Sequence, residues 1–299
     1  MGHIITDLKE NFKRSDINLK FIYANAAVFL LTSLTGIGFM LFNRSAGFLL
    51  SWFELPASFP RFILQPWSLF TYMFMHADVL HILFNMLWLY WFGKIFLFFF
   101  SARHFRGLYI LGGLCGGLLY MVAYNVFPYF SYTVGVSMLL GASASVLAIV
   151  VAVACREPNY TIQLMFIGNV KLKYLALFMV ATDLLLMTGG NAGGHIAHLG
   201  GALAGLWFAS ALSKGHDITA WLNRLIDGCS NLFSRKGTSR KKKAKMKVHY
   251  GDRAQDYDYN AQKKEQSDEI DRILEKLKQS GYESLTAEEK RKLFDASNS

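Results

Sequence analysis

The stretch GGHIAHLGGALAG, residues 193–205, carries two features that rarely share one segment. Small residues recur every four positions at Gly193, Ala197, Gly201 and Gly205, and on a helix that spacing makes one face without bulk. Such a face lets one backbone lie close against another. Two imidazoles, His195 and His198, stand on the same apolar run, and a polar group there needs a partner or a task. An upstream segment answers the first feature, with Ala144, Ala148 and Ala152 forming a second stripe at the same interval. Ser143 and His198 each sit one residue from their stripe, at the edge of the contact. Two such stripes predict that the segments meet and bring a hydroxyl and an imidazole within hydrogen-bond reach, the arrangement an activated nucleophile requires.

The rest of the chain agrees with a membrane setting. Of 299 residues, 53% are hydrophobic and 15% aromatic, while only 17% are charged; an average soluble domain has about 25% charged residues. Charges are sparse from Phe21 to Leu212 and dense from Ser213 onward. Bilayer spans need about 20 apolar residues each, and six such runs are read at 21–42, 79–100, 107–127, 137–155, 170–188 and 192–212. The predicted fold class is therefore all-α, a polytopic membrane protein with a six-helix bundle. The fourth and sixth runs are rich in Ala and Gly, so they are expected inside the bundle. The first loop, 43–66, is itself apolar, and Trp52 with Trp67 predicts that it lies in the outer interface.

Lys and Arg cluster before the first run, between the second and third, between the fourth and fifth, and after the sixth, which places both termini in the cytoplasm. The first apolar run is too long for a signal sequence and is expected to be retained. The domain reading is a cytoplasmic segment at 1–20, the bundle at 21–212, a basic and disordered linker at 213–265, and a cytoplasmic helical hairpin at 266–299. Within the linker, 235–247 holds eight basic residues and no acid. Beside membrane spans, that charge points to anionic lipid rather than nucleic acid. In the hairpin, Ile270, Ile273, Leu274 and Leu277 recur at helical spacing, and Thr286 with Glu289 forms a capping box. Cys115, Cys155 and Cys229 have no paired spacing, and no H-E-x-x-H is present, so neither a disulfide framework nor a metal is expected.

Polar side chains within the apolar runs are the candidate functional groups: His76, His81, Asn85, Ser143, Ser145, Asp183, His195 and His198. With the orientation above, His76, His81, Ser143, His195 and His198 fall in one layer near the outer surface. Ser143 follows Gly141-Ala142 at a helix start, where free backbone N–H groups can stabilise an oxyanion. His81 and Asn85 are four residues apart and share a helix face. Ser145 is read as a packing residue, His195 as the rival of His198, and Asp183 as a hydrogen-bonding group with no assigned role.

Three stretches, taken in order, resemble the rhomboid family of intramembrane serine proteases. QPWSLFTYMFMHADVLHILFNMLWLYWFG (65–93) carries H-x4-H-x3-N at His76, His81 and Asn85; LLGASAS (139–145) carries G-x-S; residues 193–205 carry G-x3-A-H-x2-G-x3-G. The resemblance covers 21–212, and 266–297 is similar to a short helical extension on some bacterial rhomboids. It implies endopeptidase cleavage of transmembrane substrates near the outer surface, in the inner membrane of a bacterium. Ser143 would be the nucleophile and His198 the base that later protonates the leaving amine. His81, Asn85 and the Ser143 N–H would form the oxyanion hole, with His76, Gly141 and Gly201 structural near the site, and no catalytic Asp, metal or cofactor. Two departures stand out: Ala144 where many members have Gly, and Leu147 where members often carry an aromatic ring against the histidine. The alternatives are an inactive rhomboid-like protein that binds membrane clients, and a transporter with a histidine proton relay. The transporter would want charges near mid-membrane and internal repeats, and no convincing repeat is found.

Overall fold

Each long apolar run forms a helix, and polar side chains mark where several begin. The computed structural model describes residues 12, 14–164, 168–233 and 270–297. Asp16 caps α1 (Ile17–Leu41), its carboxylate accepting from the Leu19 N–H at 2.9 Å. Asp78 caps α2 (Val79–Phe99) through the His81 N–H, and Ser101 caps α3 (Ala102–Val126) through the His104 N–H. These caps satisfy amide groups that a helix start leaves without partners. The bundle continues with α4 (Ser143–Arg156), α5 (Leu172–Leu186) and α6 (Ala192–Ser213). Among the described residues, α1, α2, α3 and α6 are long and apolar enough to cross a membrane, and α4 and α5 are shorter. The protein is an all-α membrane bundle, as its sequence predicts.

One boundary differs in a way that matters. The sequence reading starts the fourth run at residue 137, whereas the helix starts at Ser143. Before it the chain is extended: β2 (Met138–Leu139) pairs antiparallel with β1 (Leu55–Pro56), Leu55 opposite Leu139. Gly141 then turns the chain at φ +130°, a conformation open to glycine and strained for other residues. At about 1.5 Å per residue, the 14 residues of α4 fall well short of the roughly 30 Å hydrocarbon core. Ala142 and Ala144, on either side of Ser143, are buried, so α4 begins inside the protein. α5 is likewise short and follows a hairpin of β3 (Thr161–Leu164) and β4 (Gly168–Lys171).

The two small-residue stripes meet. A Cβ on Gly201 would overlap the Ala144 carbonyl oxygen, and one on Gly205 would overlap that of Ala148. Gly193 instead faces the rings of Tyr120 and Tyr124 on α3. The sequence reading missed that α3 is the central partner of both helices. The signal was LGGLCGG (111–117), a run of glycine pairs. A Cβ on Gly112 would lie 2.5 Å from the Ala148 Cβ, and one on Gly116 would lie 2.6 Å from the Ala144 Cβ and 2.7 Å from the Ala197 carbonyl oxygen. α1 lies outside, with little of its apolar surface buried. It is tied by two buried asparagines, Asn18 donating to the Tyr90 carbonyl and Asn25 to the Tyr109 hydroxyl.

The first loop is folded. The loop holds helical turns at Gly47–Leu50, Phe59–Leu64 and Ser68–Thr71 and a stacked pair, Trp52 and Trp67, whose ring centroids are 6.0 Å apart. Gln65 pins the loop through the carbonyls of Ser51 and Glu54.

Where a linker is expected from residue 213, a further helix forms, α7 (Ala220–Phe233). Its fully buried Asn223 accepts from Arg106 Nε at 2.8 Å, and Asp227 pairs with both Arg103 and Arg106. The expected linker is thereby corrected at its start. Apolar residues recur through α7 at helical spacing, at Leu222, Leu225, Ile226 and Cys229, with Leu222 buried, and the polar bonds to α3 add to that anchoring. The basic run 235–247 lies outside the described residues, as do residues 1–11.

The chain divides into two units at residue 235. The second contains α8 (270–280) and α9 (Ala287–Ser297), joined through Gly281 at φ +76°. The capping box is present in both directions: the Glu289 N–H donates to Thr286 Oγ1 at 3.3 Å, and the Thr286 N–H to Glu289 Oε2 at 2.7 Å. Ile273 and Leu285 are buried within this hairpin, and Lys276 pairs with Glu289 at 2.9 Å.

Candidate functional site

Ser143 is the first residue of α4, so its position follows from the turn at Gly141. The Gly141 N–H donates to the Tyr72 carbonyl at 2.9 Å, and the Tyr72 hydroxyl donates to the Gly113 carbonyl at 2.6 Å. A Cβ on Gly141 would stand 2.9 Å from His81 Nε2 and 3.6 Å from Ser143 Oγ. A side chain at 141 would therefore occupy the space between those two groups. The first N–H groups of α4 have no partners within the helix, and they form its positive end.

A cavity of about 990 Å³ opens beside this helix start. Its wall includes His81 and Asn85 from α2, Ser143 and Leu147 from α4, and His198 from α6. Four residues selected from distant parts of the sequence thus share one cavity, and His195 is not part of its wall. His81 Nδ1 accepts from the Ala77 N–H at 3.3 Å. A neutral ring with its δ nitrogen accepting carries its proton on Nε2, the nitrogen beside Gly141. Asn85 donates to the His81 carbonyl at 2.9 Å, one helical turn back. His76 is buried and meets the His81 ring edge-on, with centroids 5.1 Å apart. Ser145 is fully buried and faces Gly113 on α3.

The two departures noted in the sequence have counterparts here. The Ala144 methyl group sits where Gly116 leaves room for it. Leu147 is buried, and the ring that meets His198 is that of His195, edge-on with centroids 6.0 Å apart.

Sequence reasoning gave Asp183 no role. It is the one acidic residue within α1–α6, which was the available signal. Its side chain is buried, and its Oδ1 lies 2.8 Å from Nδ1 of His198 and 2.8 Å from Nδ1 of His195. The three ligand-type atoms lie within 4.8 Å of one another, close enough to consider a metal. Tetrahedral zinc with bonds of about 2.0–2.1 Å would hold them roughly 3.3 Å apart. Spacings of 2.8 Å match charge-assisted N–H···O hydrogen bonds instead.

Comparison with known proteins agrees with this part of the chain. The model of the Rhomboid domain matches residues 64–215. That range contains α2 to α6 and every wall residue named above. A family of unknown function (DUF6576) matches residues 255–299. The chain is 29% identical over 209 residues to RHOMBOID-like protein 12, mitochondrial, of Arabidopsis thaliana, covering 67% of this chain and 59% of that protein. It is 30% identical over 154 residues to Presenilin-associated rhomboid-like protein A, mitochondrial, of Danio rerio, covering 50% of this chain and 38% of that one. The chain thus matches less than two thirds of the length of either relative.

Proposed function

We propose that this chain, which belongs to the rhomboid family, is a serine endopeptidase that hydrolyses transmembrane proteins with Ser143 as nucleophile and His198 as general base. The observation that carries the reading is that these two side chains, from separate helices, lie on the wall of one cavity at the start of α4. In the reaction, the Ser143 hydroxyl passes its proton to His198 Nε2 as its oxygen bonds to the peptide carbonyl carbon. The carbonyl oxygen becomes an oxyanion, and the unpartnered N–H groups of the first turn of α4 are available to it. His81 Nε2–H adds a side-chain donor, and Asn85 adds another once its amide leaves the His81 carbonyl. Collapse breaks the C–N bond, with His198 returning the proton to the leaving amine. Water then repeats the sequence on the acyl-enzyme.

The Lys and Arg distribution supports both termini on the cytoplasmic side, with the cavity near the opposite surface. The basic run 235–247 would add attraction to anionic lipid. An inactive relative that binds membrane clients would bind the same substrates without turnover. Retention of both Ser143 and His198 on one wall favours turnover.

The test is cleavage of a model transmembrane substrate by the full chain in proteoliposomes, together with labelling by a serine-reactive phosphonate. Wild type is expected to cleave and to label at Ser143. Ser143→Ala and His198→Ala are expected to do neither. Folded wild type that neither cleaves nor labels overturns the protease reading.

A further inference from the structure

A histidine acting as base must present a bare nitrogen to the hydroxyl it deprotonates, so its single proton has to be held on the other nitrogen. In this fold that condition has a named source. We propose that Asp183 is a positioning residue for the reaction, holding His198 as its Nδ1–H tautomer so that Nε2 is free toward Ser143. The inference rests on the protease reading above.

Three observations converge. Asp183 Oδ1 is 2.8 Å from His198 Nδ1, and an ionised carboxylate can only accept, so the shared proton sits on the ring. Asp183 is buried at 7% exposure, so water competes little for that bond. His195 Nδ1 reaches the same oxygen at 2.8 Å from one turn earlier on α6. Two donors fix the carboxylate, and with it the plane of the His198 ring. His195 also meets that ring edge-on, which limits its tilt. This supplies the constraint that Leu147 cannot.

The proton balance is that of a three-part relay. As the Ser143 O–H breaks, its proton moves to His198 Nε2, and the Nδ1 proton stays in place between His198 and Asp183. The positive imidazolium formed faces the carboxylate. When the C–N bond breaks, the Nε2 proton leaves with the amine and the starting tautomer is restored. Asp183 touches no substrate atom and gains no proton.

The experiment compares wild type with Asp183→Asn and Asp183→Ala as full chains in detergent. It measures kcat, KM and thermal midpoint, and it reads the tautomer of His198 by 15N NMR of histidine-labelled protein, with His198→Ala assigning the signal. Wild-type His198 is expected as the Nδ1–H tautomer, and the variants are expected to lose that signature. Their kcat is expected to fall by about 10²- to 10⁴-fold, the scale seen when an orienting carboxylate is removed from such a triad. KM is expected to change by less than about threefold, because substrate contacts are retained. A purely structural role would lower the thermal midpoint with kcat per folded molecule unchanged. Wild-type His198 found as the Nε2–H tautomer, or variants whose kcat stays within threefold, overturns the assignment. If both variants fail to fold, the wild-type tautomer alone decides it. Wild type without activity overturns the protease reading; active wild type with equally active variants overturns only the role given to Asp183.

Discussion

Gly201→Ala places a methyl group at the tightest glycine contact among the described residues. The added Cβ would overlap the Ala144 carbonyl oxygen, and would lie 2.8 Å from the carbonyl carbon and 3.0 Å from the Cα. All three atoms are backbone, so no side chain can turn away to make room. Carbon atoms rest at about 3.5–4.0 Å. Restoring that distance means parting α4 and α6 by at least roughly 0.7 Å, and further where the oxygen is concerned. Overpacking of this kind costs about 1–3 kcal/mol.

The effect on turnover is expected to be larger than the effect on stability. Ser143 adjoins Ala144, and His198 lies three residues from Gly201, so the separation opens beside the cavity whose wall both side chains share. A nucleophile and its base work within a window of about 2.6–3.2 Å, and a misplacement of about 1 Å can cost roughly 10²-fold. Gly201→Ala is therefore expected to cleave a transmembrane substrate about 10²-fold more slowly than wild type, with slower phosphonate labelling and a lower thermal midpoint. Gly135→Ala is the control, since a Cβ there meets nothing within 4 Å. Gly201→Ala with wild-type cleavage and an unchanged midpoint would refute the reasoning, because it would mean that the two backbones are not in contact.

Three further outcomes are expected. Asn223→Ala removes a buried group that accepts from Arg106 and donates to the Arg103 carbonyl; leaving such partners unmet costs about 1–3 kcal/mol, read as faster proteolysis within α7 with cleavage of substrate little changed. In the hairpin, the Thr286 backbone N–H and then the Lys276 ammonium hold the Glu289 carboxyl below its ordinary value. A carboxylate depressed in the folded state contributes stability at neutral pH that is lost as pH falls through the folded value. The Cα shifts of residues 287–297 are thus expected to move toward coil on acidification, and Glu289→Gln to abolish that dependence. Deleting residues 235–299 is expected to leave cleavage within about threefold, because every wall residue belongs to the unit ending at Arg235; a folded truncation without turnover would count against this.

What the sequence revealed follows the range of the forces involved. The apolar runs are legible because the bilayer demands about 20 consecutive residues. The contact of α4 with α6 is legible because close backbone approach demands small residues at a fixed interval. Thr286 and Glu289 are legible because a capping box is local. Asp183 was not placed, because its two partners come from another helix and no spacing links position 183 to positions 195 and 198. α7 differs: Leu222, Leu225, Ile226 and Cys229 recur at helical spacing and were legible, but the dense charge after residue 213 masked them, and only the α3 partners of Asn223 and Asp227 lay beyond local pattern. Residues 137–142 misled because an apolar extended segment and an apolar helix look alike over six positions, and the turn at Gly141 shows only in its dihedral angle.

That late helix start explains why so much of the chain outside α4 and α6 bears on the cavity. A helix beginning at a membrane surface would expose its first N–H groups to water. α4 begins inside the protein, and in the proposed mechanism this would keep them available to a reacting carbonyl, provided that something else holds the extended segment in place. Two attachments do so: the β1–β2 pairing, and the Gly141 N–H bond to the Tyr72 carbonyl, with Tyr72 itself fastened to Gly113 on α3. The first loop and the glycine pairs of α3 are thus part of what sets the position of Ser143. In the proposed mechanism, Asp183 and His195 would do for the imidazole what that scaffold would do for the hydroxyl, each holding one group from a different side of the bundle.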